Sequence, residues 1–163
     1  FSSFARMPKA EIKMDNLSKT LRESFNLFVN SHPKVNMKLL SKTKDIYFQF
    51  DRFQITQAFN NIIKNAVEAV SKIPNPSIFV DLSENNNQIM FVVKDNGIGI
   101  DENKISKYFE PYFTTKDKGT GLGLSIVKKI IEDHGGIIKI EKNKNMAGTT
   151  TGVLFDIQWI QKF

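Results

Sequence analysis

The fold is decided by the segment QAFNNIIKNAVEA, which spans residues 57–69. Its apolar residues recur at steps of three and four, the period of one side of an α-helix. The pattern predicts a helix over about residues 53–71 whose apolar side faces a core. That side consists of Phe59, Ile62, Ile63, Ala66 and Val70.

The other side of this helix is polar. Asn61 and Asn65 are four residues apart and point the same way, with Gln57 and Glu68 within about 40° of them. This side is either an ordinary solvated surface or part of a site, and the helix alone leaves both interpretations open. Carboxamide oxygens suit a hard cation that keeps most of its water and binds substrate phosphates, which describes Mg²⁺ with a nucleotide.

Outward from this helix, the chain alternates between helical and extended segments without a repeat. An earlier helix is predicted over about residues 17–29, after the capping residues Asp15 and Asn16, and a later one begins at Leu122. Strands are predicted at residues 35–40, 46–50, 77–82, 88–94, 137–141 and about 153–159. The first two are expected to form a hairpin, and the next two to pair in the centre of a sheet. This order predicts an α+β sandwich: a sheet, one helical layer and one long Gly-rich loop.

Composition narrows the class of protein. A chain of 163 residues with 40% hydrophobic and 25% charged residues suits one globular domain and excludes a disordered protein. Because cysteine is absent, disulfides and thiolate chemistry are excluded. The net charge of +6 comes mostly from scattered lysines, a pattern that is weak support for nucleic-acid binding.

Two glycine-rich segments carry the remaining chemistry. The first, DNGIG at residues 95–99, follows a predicted strand, where an aspartate can accept a hydrogen bond from an amino group; a simple tight turn would look the same. The second, GTGLGLS at residues 119–125, opens a helix, so its free N–H groups favour a phosphate. It has the spacing of neither a Walker loop nor a dinucleotide fingerprint.

Taken together, these segments resemble the ATP-binding domain shared by sensor histidine kinases and their ATPase relatives, the GHKL superfamily. Residues 57–69 resemble the N box, residues 95–99 the first glycine box, residues 108–113 (YFEPYF) the F box, and residues 114–124 the ATP lid and second glycine box. The resemblance implies a two-layer α/β sandwich of the Bergerat type, with a mixed sheet, helices on one face and a Gly-rich lid. The opening FARMP, residues 4–8, further resembles the junction after the dimerisation helices in nitrogen-regulation sensor kinases of the NtrY type.

The resemblance also implies roles for individual residues. Asp95 would bind the adenine amino group, Asn65 would be the main Mg²⁺ ligand, and Asn61 would assist at the metal and the phosphates. Lys116 would be a catalytic lid cation facing the γ-phosphate. Phe109 and Phe113 would anchor the lid. The other implied ATP contacts are Gly97, Gly99, Ile100, Thr115, Gly119, Thr120, Gly121, Leu122, Gly123 and Leu124. In the C-terminal strand, a family motif fits either residues 152–155 (GVLF) or Gly148-Thr149, and both frames stay open.

One position bears on the type of reaction. Superfamily members that hydrolyse ATP carry Glu at the position of Asn61, and an amide cannot take up a proton from water at neutral pH. The resemblance therefore implies phosphoryl transfer to a histidine. Neither His32, in a turn, nor His134, at a helix end, is expected to be the acceptor. We expect residues 1–14 to be a junction from an upstream dimerisation helix that carries the acceptor, and residues 15–163 to be the catalytic domain. The chain should bind ATP without phosphorylating itself.

Partners follow from the same resemblance. They are a response regulator and the upstream domain, with a homodimer in the full-length protein, a monomer for this chain and no direct contact with nucleic acid. The domain would lie in the cytoplasm and the full-length protein would be anchored in a bacterial inner membrane. The alternatives are an anti-sigma-type Ser/Thr kinase of the same fold and a degenerate interaction module without nucleotide.

Overall fold

The computed structural model describes residues 7–40, 45–113, 123–143 and 148–156, with the backbone alone for residues 152–156. Within these residues the structure has the predicted alternation of helices and strands, with a strand at Lys13–Asn16 and a 3₁₀ helix at Glu102–Phe109 in addition to it. The helices are α1 (Leu17–Ser31), α2 (Arg52–Ala69), a 3₁₀ helix (Glu102–Phe109) and α3 (Gly123–Asp133). The strands are β1 (Lys13–Asn16), β2 (Asn36–Leu40), β3 (Tyr47–Phe50), β4 (Ser77–Asn85), β5 (Gln88–Asp95), β6 (Gly136–Lys142) and β7 (Thr149–Asp156).

The main sheet of the described chain is mixed and has the strand order β2-β4-β5-β7-β6. Strand β2 runs parallel to β4, and the remaining pairs are antiparallel. The predicted pairing of the strands around residues 77–82 and 88–94 is confirmed, with Val80 opposite Val93. Because β5 is the central strand, its last residue, Asp95, lies in the middle of one edge of the sheet.

One face of this sheet is covered by the helices. Alternate residues of β4 and β5 point into the core, and Phe59 of α2 packs on Phe91 of β5 with ring centroids 4.7 Å apart. On the opposite face, Met90 and Ile137 keep 46% and 57% of their surface exposed. The α+β sandwich with helices on one face of a mixed sheet is therefore confirmed.

The expected hairpin of residues 35–40 and 46–50 is wrong. Strand β2 instead joins the main sheet beside β4, and β3 pairs antiparallel with β1 in a separate two-stranded sheet. The alternation of Phe48 and Phe50 reflects burial against the core, where their rings stack 4.9 Å apart, rather than pairing with β2. A period of two identifies a half-buried strand but carries no information about its partner.

Both long helices begin at capping side chains. Asn16 accepts a hydrogen bond from Lys19 N at 3.0 Å, and Asp51 accepts one from Gln54 N at 2.9 Å, which satisfies free N–H groups of α1 and α2. Both helices therefore start within two residues of the predicted positions.

In the described ranges, no helix has the length and apolar character that a membrane crossing requires.

Candidate functional site

Asp95 is the central side chain of the site. It ends β5, is only 5% exposed, and its Oδ1 accepts hydrogen bonds from Gly97 N at 2.8 Å and Thr149 N at 3.3 Å. No described residue donates to its Oδ2. Burial raises the pKa of the Asp95 carboxyl, and the two backbone hydrogen bonds oppose that rise. Oδ2 is therefore an acceptor that no described residue uses, in a largely dry position, as recognition of an amino group requires.

The turn after Asp95 is tied to the elements on either side of it. Asn96 accepts a hydrogen bond from Ser77 N and donates one to Asn75 O, both at 2.9 Å. A Cβ at Gly97 would collide with the Ala69 backbone, with the Ala69 carbonyl carbon 2.6 Å away. Only glycine permits the end of α2 to come so close to this turn.

The close approach of Ala69 to Gly97 determines which way the polar side of α2 faces. Asn61, Asn65 and Ala69 are spaced four residues apart, so they lie on one side of the helix in successive turns. Since Ala69 contacts Gly97, Asn65 and Asn61 lie on the side of α2 that meets the Asp95 turn, one and two helical turns before Ala69. Both asparagines are partly exposed, as a ligand-binding side chain must be. The solvated-surface interpretation of this side is therefore less favoured than the site interpretation.

The far wall of the site comes from a segment that the sequence left ambiguous. A Cβ at Gly148 would meet Asp95 O and Oδ1, and Asp95 C at 2.6 Å. Gly152, by contrast, pairs with Val92, three residues before Asp95. Of the two frames left open in the C-terminal strand, Gly148-Thr149 is the one that lies against the carboxylate.

Asn143 was missed altogether by the sequence analysis. It is buried, its Nδ2 donates to Asp95 O at 3.3 Å, and its backbone N–H donates to Gly148 O at 2.7 Å. It therefore fixes Gly148 against Asp95. No local pattern marks this residue, because it lies 48 positions from Asp95 and follows the end of an ordinary strand.

The F-box residues border the same region. Phe109 packs against the core, and Lys128 Nζ of α3 lies 5.7 Å from the centre of its ring. Tyr108 and Phe113 form an edge-to-face pair at 5.3 Å, which joins the two ends of the YFEPYF segment.

Gly99 has a φ of 79°, a conformation that glycine adopts without strain. Ile100 is partly buried, and Gly123 and Leu124 begin α3. The remaining predicted contacts lie outside the described residues: Thr115, Lys116, Gly119, Thr120, Gly121 and Leu122.

Metal binding here would depend on amide rather than carboxylate or imidazole ligands. In the part of the chain that the structure describes, no three His, Cys, Asp or Glu residues form a group that could hold a metal ion. The oxygens of Asn61 and Asn65 fit a hydrated Mg²⁺ that also binds phosphate oxygens, because such an ion needs few protein ligands.

Comparison with known proteins identifies the class. Residues 50–159 match the family described as histidine kinase-, DNA gyrase B-, and HSP90-like ATPase. The matched region includes α2, the Asp95 turn and Gly148, and the chain belongs to this family. It is an ATP-binding catalytic domain of the kind found in two-component sensor kinases.

The chain also resembles individual named proteins. The chain is 38% identical over 145 residues to the nitrogen regulation protein NtrY of Azorhizobium caulinodans, an alignment that includes 86% of this chain and 19% of NtrY. The chain thus spans about a fifth of that relative's length. The catalytic domain of histidine kinase ThkA is 33% identical, with a TM-score of 0.81 over 90% of this chain and 96% of that domain. A second ThkA structure, in complex with the response regulator protein TrrA, matches at 28% identity and a TM-score of 0.78 over 91% of this chain and 42% of that chain.

Proposed function

We propose that this chain binds Mg²⁺-ATP between Asp95 and the asparagines of α2, and presents the γ-phosphate to a phosphoacceptor histidine in another segment. The observation that carries the proposal is the buried Asp95 carboxylate, whose Oδ2 receives no hydrogen bond from any described residue. That oxygen is available to the amino group of adenine. Membership of the ATPase family supports ATP as the nucleotide.

At the phosphate end, Asn65 would be the main ligand of Mg²⁺, and Asn61 would assist it. The ion would neutralise charge on the phosphate oxygens. The backbone around Gly119, Gly121 and Gly123 would hold the phosphate chain, and Lys116 would face the γ-phosphate. Asn61 supports transfer over hydrolysis, because its amide cannot act as a base toward water at neutral pH.

The acceptor histidine would lie outside this chain. His32 and His134 each bring Nδ1 to the carbonyl oxygen four residues earlier in their helix, Phe28 O at 3.1 Å and Ile130 O at 2.7 Å. His134 also accepts a hydrogen bond at Nε2, so neither of its nitrogens is available as a nucleophile. We propose that residues 1–14 connect this domain to the upstream dimerisation helix that carries the acceptor.

The complex of ThkA with TrrA supports a response regulator as the next acceptor of the phosphoryl group. In the full-length protein, we propose a homodimer with this domain in the cytoplasm and an anchor in the inner membrane. The chain by itself would be a monomer without affinity for nucleic acid.

The first test is calorimetric titration of the chain with ADP and with AMPPNP, with and without Mg²⁺. Saturable binding is expected, and Asp95→Asn should weaken it about 100-fold because a charged acceptor is lost. Asp81→Asn, on the neighbouring strand β4, is the matched control and should bind like the unmodified chain. A folded chain with no affinity for either nucleotide would contradict the proposal.

A second test concerns the acceptor. After incubation with radiolabelled ATP and Mg²⁺, no phosphohistidine is expected on the chain alone. Label should appear on a separately added dimerisation domain that contains the acceptor histidine. Phosphohistidine on His32 or His134 would show that the acceptor lies in this chain.

A further inference from the structure

Four elements meet at Asp51, the capping residue of α2. Its Oδ1 accepts a hydrogen bond from Gln54 N at 2.9 Å, and its Oδ2 accepts one from Glu11 N at 2.7 Å. Its own N–H donates to His134 Nε2 at 3.0 Å. Asp51 follows β3 directly, so the end of β3, the start of α2, the end of α3 and the segment before β1 are joined at one residue. We call these contacts the Asp51 junction.

The segment before β1, residues 8–12, is here called the arm. Besides the bond from Glu11 N to Asp51, the arm is held by Gln54, whose buried Nε2 donates to Pro8 O at 2.9 Å. The arm thus lies across the first turn of α2. These two contacts, the packing of Met7 against the core and the pairing of β1 together hold the chain N-terminal to Lys13 on the fold.

His134, which directly follows α3, is the described residue that connects the junction to that helix. Its Nδ1 donates to Ile130 O at 2.7 Å, which leaves Nε2 as an acceptor aimed at Asp51 N. The tautomer is therefore fixed by the hydrogen bonds on both sides of the ring. His32 repeats the bond to its own helix, with Nδ1 3.1 Å from Phe28 O, but its Nε2 has no partner among the described residues. Within the described part of the chain, the ring of His134 links its helix to another element and the ring of His32 does not.

From this junction, α2 and α3 extend to Asn61 and Gly123, two of the residues that we propose contact the nucleotide. With a rise of about 1.5 Å per residue, Asn61 lies about 15 Å from Asp51 along α2. Gly123, where α3 begins, lies about 16 Å from His134 along α3. Helix α3 is buried against α2 and the core through five of its eleven residues, so it moves as a rigid body.

We propose that His134 is a positioning residue that couples the arm to ATP binding through α3. The inference rests on the proposed function, since it requires nucleotide phosphates at the start of α3. A nucleotide that fixes the start of α3 also restrains His134, which holds Asp51 and, through Oδ2, the amide of Glu11. Coupling of this kind is reciprocal: the arm must affect nucleotide affinity by the same factor as the nucleotide affects the arm.

The test measures hydrogen exchange of the Glu11 amide in the chain, with and without AMPPNP and Mg²⁺. The analogue should slow that exchange about fivefold. In His134→Leu, which removes both ring hydrogen bonds, the effect of the analogue should fall below about twofold. His32→Leu is the matched control, because it removes only contacts within its own helix, with Phe28 O and Ser31 Oγ, and it should keep the full effect.

Asp51→Asn tests the other side of the junction. Its remaining oxygen still caps α2, but the new amide nitrogen cannot accept from Glu11 N. By reciprocity, this variant should bind AMPPNP about fivefold more weakly than the unmodified chain.

The outcomes separate the two proposals. Failure of the unmodified chain to bind AMPPNP would overturn the proposed function and this inference with it. Binding with no change at Glu11, or a change that survives in His134→Leu, would overturn only the inference. So would an unchanged AMPPNP affinity in Asp51→Asn. A merely structural role for His134 would lower the stability of the chain while leaving the response of Glu11 to AMPPNP intact.

Discussion

Two buried aspartates mark the two ends of α2, and their surroundings are opposite. Asp51 uses both carboxylate oxygens to accept backbone hydrogen bonds, one of which caps the helix. Asp95 uses only Oδ1 among the described residues, and burial raises its pKa. The first side chain stabilises the fold where it lies, whereas the second leaves Oδ2 without a donor among the described residues, as the proposed contact with a ligand requires. This difference distinguishes a structural end of α2 from the end that we propose to be functional.

The largest effect is expected where backbone closes on Asp95. Gly148→Ala places a Cβ against the Asp95 main chain, which cannot move aside without disturbing the centre of the sheet. We expect the free energy of unfolding to fall by about 3 kcal/mol and nucleotide binding to be lost. The matched control is Gly123→Ala, where a Cβ meets no atom within 4 Å. Denaturant titration of both variants measures the difference; equal stability would show that the functional end is loosely packed.

At the structural end, removing the cap should cost somewhat less. Asp51→Ala leaves Gln54 N and Glu11 N without their acceptor, so the free energy of unfolding should fall by about 2 kcal/mol. Asp51→Asn keeps the capping oxygen and should cost less than half of that. If Ala and Asn are equally destabilising, the second contact, with the arm, contributes more than the cap.

Asp95→Asn should change stability in the opposite direction. Because the pKa of Asp95 is raised in the folded chain, its carboxylate costs stability at neutral pH, and protonation relieves that cost as the pH falls. The variant should therefore be about 1 kcal/mol more stable than the unmodified chain at pH 7. This advantage should shrink as the pH is lowered through the raised pKa. Thermal unfolding at several pH values measures it, and a less stable variant at pH 7 would remove the contrast with Asp51.

The smallest effect is expected at the surface beside β1. Arg52 Nε and Nη2 donate to the two oxygens of Asp15, each at 2.8 Å, and this pairing lowers the pKa of Asp15 to about 2. A lowered pKa stabilises the fold above about pH 4, and the contribution is lost as the pH falls toward 2. Since both side chains are partly exposed, Asp15→Asn should cost about 0.5 to 1 kcal/mol at pH 7. The cost should vanish near pH 2 in acid titrations of the two proteins; a cost that persists there would point to packing rather than charge.

Local patterns in the sequence predicted the helices well. The three-and-four spacing from Phe59 to Val70 reflects burial of one side of α2, and the predicted cap Asn16 marks the start of α1. These features depend on neighbours within a turn or two, so they can be read without knowing the rest of the fold. The cap of α2, Asp51, is seen only in the structure.

The strand partners could not be predicted in this way. No local pattern marks β1, and the period of β3 does not indicate its partner, because partner choice depends on distant segments. The same limit applies at the site. Asp95 and the asparagines were chosen from local motifs, whereas Asn143 and Gly148 reach Asp95 across about fifty residues of chain. Only the folded sheet brings these two walls together.

The position of β7 has a consequence for how the protein is made on the ribosome. It is the last of the described strands to be synthesised, yet it lies between β5 and β6, so β6 has no partner in the sheet until β7 emerges. Gly148 and Thr149, which close the site around Asp95, arrive with it. A nascent chain that stops before Gly148 would therefore hold Asp95 without the backbone that packs against it. The proposed nucleotide site would therefore be completed only when the last described strand joins the sheet.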